Sequence, residues 1–418
     1  MNFEHLPFPQ HKRIVRSDKM TVKRLAVFLK CCLIIPLLSG CWSKIEVNDI
    51  AIVTALGLDQ TESGNIILSL EVAIPRMLGV SSQSSEKIET KAGWILTAEG
   101  TTILEAYQFI QQKLPRRIAF YHSKVIVIGE RLARSGVLPV LDFFERYNQS
   151  LIRSHVLFAK GEALEILEFK PTLEKLASEV MREEAKSQIS VSIRLLQFMD
   201  MLMSEGDSAV AARVQLMPAE AGSLGKETRI HESDTMSLSI KGAAVFKQDK
   251  LIGWLNEKEA KGLMWLKNRM DEGIVTVQIP EEKGGGLISS RVETTHNKIR
   301  PKLGKDPIAI HIDQYADIAI YENSSKLDLG NPNDVTYAKT LIENDIKARI
   351  EAIANKARKQ FKSDIMGFGR VVYRFHPAEW EKTYAKNWEE RFPELEIVIR
   401  PHVTVSQVGL TNKSIPIK

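Results

Sequence analysis

No cysteine follows Cys41 in this 418-residue chain; the three present, Cys31, Cys32 and Cys41, all lie near its start. The rest of the chain therefore forms no disulfide, thiolate metal site or cysteine nucleophile. Beyond position 40 there is also no run of about 18 apolar residues, the length expected of a spanning helix. The body is expected to be anchored to a membrane, not threaded through it. Net charge is missing too. The formal +5 comes from residues 1–40, where seven Lys or Arg stand against Glu4 and Asp18; the remainder carries fifty side chains of each sign. A neutral body has no general attraction for nucleic acid or anionic lipid, and no nucleic-acid partner is expected.

What is present begins with an export signal. Residues 1–30 are basic, and Leu33-Ile34-Ile35-Pro36-Leu37-Leu38 is a short apolar stretch that runs into Ser39-Gly40-Cys41. A charged segment, a short apolar segment and small residues at a cut site make a secretory signal. Leu38-Ser39-Gly40-Cys41 resembles the bacterial lipobox, in which the thiol takes a diacylglycerol and the chain is cut before it. Residues 1–40 are thus expected to be a lipoprotein signal peptide, with Cys41 as the lipidation site. Lys30 interrupts the apolar run, and a start at Met20 would leave a compact Lys23-Arg24 segment; both starts stay open.

The mature chain reads as α+β: three mixed α/β domains over 41–169, 170–273 and 274–410, each a small, mainly antiparallel sheet with packed helices. In the first, residues 51–58 and 66–72 form a hairpin. A helical stripe over 101–114 is stopped by Pro115, residues 125–128 form a buried strand, and 137–147 a helix. The second, helix-rich unit has helical spacing from Leu173 to Leu202, broken at Gly206-Asp207, then a short hairpin at 242–255 and a helix over 257–269. In the third, Ile308, Ile310, Ile312, Ala316, Ile318 and Ile320 share one strand face. A long helix begins near Asp334 as N-cap, with Glu343–Lys347 and Asp345–Arg349 as i,i+4 pairs. Its stripe of Val335, Ala338, Ile342, Ile346, Ile350, Ile353, Ala357 and Phe361 is expected to pack on its own sheet. Pro401 marks an edge or bulge in the final strand.

The search for chemistry is largely empty. Gly222-Ser223-Leu224-Gly225-Lys226-Glu227 suggests a phosphate loop, but Glu220 stands where the pattern wants glycine and Glu227 where it wants a hydroxyl. His311 and Asp313 share the polar side of a strand as half of a metal site, without a third ligand. His231-Glu232 lacks the second histidine of the zinc-protease helix motif. Gly284-Gly285-Gly286 lacks the spacing of a dinucleotide loop and reads as a turn. No catalytic residue, metal or cofactor is expected.

One resemblance goes further. Cys41-Trp42, followed by Asn48-Asp49-Ile50-Ala51-Ile52-Val53-Thr54-Ala55-Leu56-Gly57-Leu58-Asp59, resembles the opening of the spore germination receptor C-subunit lipoproteins, the Ger(x)C family. Gly242-Ala243-Ala244-Val245-Phe246, Gly253-Trp254-Leu255 and Gly262-Leu263-Met264-Trp265-Leu266 continue it in order. So do Asp364-Ile365-Met366-Gly367-Phe368-Gly369, Trp380, Asn387-Trp388 and Phe392-Pro393-Glu394-Leu395. Ser43-Lys44-Ile45 departs from the family's usual acidic and basic residues. The resemblance spans nearly all of 41–408. It implies a non-enzymatic subunit on the outer face of the spore inner membrane, working with integral A and B receptor subunits in nutrient sensing. Two rival classes remain: a lipid-anchored solute-binding protein, which would show two similar lobes, and an anchored hydrolase, which would need a nucleophile, base and orienter that converge.

Overall fold

The computed structural model describes residues 49–74, 92–147, 149–186, 190–218, 236–304 and 306–409, together with 24, 27 and 28. The chain divides into Met1–Ile50 and Ala51–Lys418, and the second unit carries both sheets. Cys41, the loop 222–227 and His231-Glu232 lie outside the described residues. No helix among the described residues is long and apolar enough to cross a membrane.

The hairpin expected at the start of the body forms as β1 (Ile50–Gln60) and β2 (Ile66–Ala73), extended by β3 (Gly93–Gly100). Helix α1 (Ile103–Gln112) is capped by Thr102, whose side chain accepts from the Glu105 N–H while Glu105 returns a carboxylate to Thr101 N–H at 2.7 Å. After β4 (Arg117–Ala119) comes β5 (Val125–Ile128), which runs parallel to β1 and is wholly buried. Its unbroken apolar run follows from cover on both faces. Ile126 and Ile128 enter the main core, while Val125 and Val127 enter a second cluster on the opposite side. Helices α2 (Glu130–Ser135) and α3 (Leu138–Tyr147) lead to β6 (His155–Ala159), parallel to β5. Then come α4 (Ala163–Glu168), α5 (Ala177–Lys186), β7 (Ile193–Arg194), α6 (Leu195–Met203) and β8 (Val210–Pro218), which is parallel to β6. The hairpin β9 (Met236–Lys247) and β10 (Lys250–Leu255) completes a ten-stranded sheet ordered β10-β9-β8-β6-β5-β1-β2-β3, with β4 on β1 and β7 on β6. Its strands come from both sides of the boundary expected at 169/170.

Helix α7 (Glu257–Leu266) opens with a capping box, Asn256 and Glu259 each receiving the other's backbone N–H. A second sheet follows, ordered β11 (Ile274–Gln278), β12 (Leu287–Lys302), β13 (Ala309–Asn323) and β14 (Glu396–Gln407). Strands β13 and β14 are parallel, so their connection must cross over; it contains α8 (Pro332–Lys356), a π turn at Ala357–Phe361 and α9 (Phe368–Phe375). The sequence stripe is the buried face of α8: Ala338, Ile342, Ile346, Ile350 and Ile353 are all closed to solvent. That face packs on β14, β11 and α7. The molecule is α+β, as the sequence predicts.

The helix start differs from expectation. Asn331 is the N-cap, accepting from Asn333 N–H at 3.0 Å, and Pro332 takes the first helical position, where its missing N–H costs nothing. Asp334 instead receives the Asp328 N–H at 2.8 Å and fixes the approach to the helix. Of the two expected ion pairs, Arg349–Asp345 forms at 2.5 Å. Glu343 accepts the Val403 N–H at 2.9 Å and lies 3.7 Å from Lys339, one turn earlier, while Lys347 is 3.8 Å from Glu351. Pro401 sits on β14, an edge strand, as read from the sequence.

Candidate functional site

Three buried carboxylates organise the body, and each serves backbone N–H groups. Asp59, at the end of β1, reaches across to α4 and accepts from Ala163 N–H at 2.7 Å and Leu164 N–H at 3.0 Å. Glu71 on β2 accepts from Ala177 N–H of α5 at 3.1 Å and from the Thr54 hydroxyl at 2.6 Å. A helix N-terminus presents unpaired donors and positive dipole, so a carboxylate held there by a strand docks the helix on the sheet. Burial pushes both acids up, against those hydrogen bonds.

The third, Asp364, is the centre of a denser arrangement. One carboxylate oxygen accepts from Gly367 N–H at 2.9 Å and Phe368 N–H at 3.1 Å. The other accepts from Gly369 N–H at 2.8 Å and the Trp388 indole N–H at 3.0 Å. Burial pushes its carboxyl up to about 6, opposed by these four donors, and the nearby Asp207 charge adds to the rise. Asp207 is itself raised by burial, and its charge is attended by Lys267 and by Arg370 at 3.8 Å. Arg370 also pairs with Asp200 at 2.7 Å.

The arrangement clasps the segment after α6 into the segment around α9. Gly206 accepts from Arg370 N–H at 3.0 Å, and the Asp364 carbonyl accepts from Ser208 N–H at 3.0 Å. Trp380 donates its indole N–H to Glu205 at 2.7 Å and lies 5.3 Å from Trp388. Ser363 donates its hydroxyl to the Phe246 carbonyl of β9 at 2.7 Å. Residues separated by more than 150 positions thus meet around one buried negative charge. The chemistry on offer is the holding of that charge and, near pH 6, of a proton; a clasp is what the geometry builds.

The other candidates are dispersed. His311 and Asp313 do lie on the exposed side of β13. Asp313 is 3.3 Å from Arg300 and 3.6 Å from His402, and His311 is lowered by desolvation and by Lys302 and Arg400. On the same side Tyr315 stacks between His296 and His402, at 4.6 and 4.8 Å. Among the described residues no three His, Cys, Asp or Glu side chains gather as a metal set. Gly284, Gly285 and Gly286 all take positive φ and close a turn against Ser324 and Lys326. Asp364, Gly367, Gly369, Trp380 and Trp388 were all picked out by the family resemblance. Asp207 was seen only as a helix break; the adjacent Gly206 was the signal that a backbone had to pass close by.

Residues 43–216 match the family described as spore germination protein N-terminal domain, and residues 241–409 match spore germination B3/GerAC like, C-terminal. YfkR of Bacillus subtilis (strain 168) is 28% identical over 397 residues, covering 95% of this chain and 99% of that one. Spore germination protein KC of the same organism is 26% identical over 400 residues, covering 94% and 97%. The crystal structure of the GerBC protein superposes with a TM-score of 0.54 at 16% identity, over 84% of this chain and 96% of that one. That last likeness speaks for the fold.

Proposed function

Because the chain belongs to the Ger(x)C family of spore germination proteins, we propose that it is the lipid-anchored C subunit of a nutrient germinant receptor, acting by assembly and not by turnover. The observation that carries this is the collinear match of both family domains along the chain, from residue 43 to 409. The anchor is the diacylglyceryl group on Cys41. It holds the body at the outer face of the spore inner membrane, beside integral A and B subunits. Tethering raises the local concentration of the body near those partners, so binding energy is spent mainly on orientation. A body whose buried acids all serve its own backbone suits a scaffold that must keep one shape while its partners respond.

The test is deletion of the gene, followed by optical-density loss of purified spores exposed to a panel of amino acids, sugars and nucleosides. Response to a particular nutrient set should be lost or slowed, while growth, sporulation and germination by agents that bypass nutrient receptors continue. An unchanged response, with redundant receptors also removed, would sink the proposal and leave the solute-binding alternative to be tested.

A further inference from the structure

A cavity of about 400 Å³ opens between the end of α5, the short strand β7 and the turn after α7. Its wall is rich in hydrogen-bond donors and positive charge. Arg269 is largely removed from water, and its desolvation pulls its pKa down. Its guanidinium donates to the Ser192 carbonyl, yet no carboxylate forms an ion pair with it or with Arg194 among the described residues. Lys186, itself paired with Glu183 at 3.1 Å, adds a third cation, and Asp271 is the single acid on the wall among the described residues. His155, held low by burial and by Arg194 and Lys186, sits with Nδ1 3.1 Å from the Ser192 hydroxyl.

Two further observations mark this wall as built for something. Ser190 is only 3% exposed, lines the cavity, and its hydroxyl has no hydrogen-bond partner among the described residues. A buried hydroxyl left unpaired costs roughly 1–3 kcal/mol, so a group that pairs with it recovers that cost. Asn268 and Glu272, on either side of Arg269 and Asp271, both take left-handed backbone conformations, with φ of 53° and 64°. Strain of this kind persists where the surroundings hold it, often at binding sites.

We propose that this cavity binds a small molecule through an oxyanion, a carboxylate or a phosphate. The planar guanidinium of Arg269 supplies paired donors of the right geometry. The Ser190 hydroxyl completes the set, and Arg194 and Lys186 raise the local anion concentration at the mouth. The volume suits a compact metabolite and is at the lower end of ordinary ligand sites. The proposal is independent of the role in germination, because it rests on this wall alone.

The experiment is thermal melting and calorimetric titration of the full-length chain in detergent, with succinate, inorganic phosphate and chloride compared at one ionic strength. Succinate or phosphate should bind saturably and chloride should not, and the stronger of the two identifies the oxyanion. Arg269→Gln should weaken binding by about tenfold or more. Asp271→Asn should tighten it roughly threefold by removing the like charge, a gain that damaged folding does not mimic. Ser190→Ala should raise the melting temperature of the free protein and weaken binding, a pair of opposite effects that a purely structural serine would not give. If Arg269→Gln does not fold, Arg194→Gln takes its place, with an expected loss of about threefold. Equal shifts with all three salts, or binding that survives both arginine substitutions, would overturn the proposal.

Discussion

The indole N–H of Trp388 donates to the buried carboxylate of Asp364 at 3.0 Å, sharing one oxygen with the Gly369 N–H at 2.8 Å. Each partner removes the other's desolvation cost, and the pair ties the end of the α8 crossover to the turn before α9. Asp364→Ala should therefore destabilise the mature chain by about 3–5 kcal/mol, since four N–H donors lose their acceptor together. Trp388→Phe, which removes one donor and keeps most of the packing, should cost about 1–3 kcal/mol. Urea unfolding followed by far-UV circular dichroism reads both, and equal losses would count against the carboxylate as the centre.

The same acid makes stability depend on pH in a direction that can be worked out. Asp364 titrates near 6 when folded, above its ordinary 3.8. Between those values the folded state holds a proton that the unfolded chain has released. Its contribution is therefore present below about pH 4 and is lost as pH rises through about 6. From about pH 5 to about pH 7.5 the wild type should lose on the order of 1 kcal/mol more than Asp364→Asn does. Parallel slopes for the two proteins would refute the assignment.

Gly206 and Gly369 let two backbones touch. A Cβ on Gly369 would lie 2.6 Å from the Gly206 Cα and 2.6 Å from the Trp388 indole nitrogen, and one on Gly206 would lie 2.7 Å from the Gly369 Cα. Alanine at either position should cost roughly 3 kcal/mol, because backbone cannot yield as a side chain can. Gly64, also at positive φ but with open space around it, is the control; its alanine variant should lose only about 1 kcal/mol, for the left-handed conformation alone. Denaturant midpoints for the three variants make the comparison.

The anchor prediction follows from lipid partition. One acyl chain gives a membrane affinity on the order of 10⁴ M⁻¹, so stable retention takes the two chains of a diacylglyceryl group. Cys41→Ala should leave an uncut or mislocalised precursor, seen by fractionation and by mass spectrometry of the N-terminus. Chain starting at Trp42 should stay monodisperse without detergent or reductant. A correctly cut, membrane-retained Cys41→Ala protein would rule the lipid anchor out.

How much of this was legible before the fold was seen depends on whether a signal is local. The stripe of α8 was readable because period and burial are both properties of one element, and the run at 125–128 because an apolar strand needs no partner to be recognised. Strand β12 was not read from the sequence. From Glu293 to Lys302 its only aliphatic side chain besides Pro301 is Ile299, and it is held extended by register pairs with β13 along its length and by Asn297, which donates to the Leu266 carbonyl at 2.8 Å. Likewise β8 had no distinctive period of its own; it gained its place by pairing parallel to β6 and antiparallel to β9.

By itself the sequence determined the stripe of α8, the buried strand at 125–128, the neutral cysteine-free body beyond Cys41, and, through spaced Gly, Trp and Asp residues, the family. Only the tertiary structure decided that strands before and after residue 169 share one sheet, and that Gly206 and Asp207 meet Asp364, Gly369 and Trp388. It alone also decided that Arg269 and Ser190 face one cavity. The physical reason is the same in each case. Hydrophobic period is written along the chain, whereas the desolvation of a charge, the contact of two backbones and an unpaired hydroxyl exist only once distant segments have closed around them.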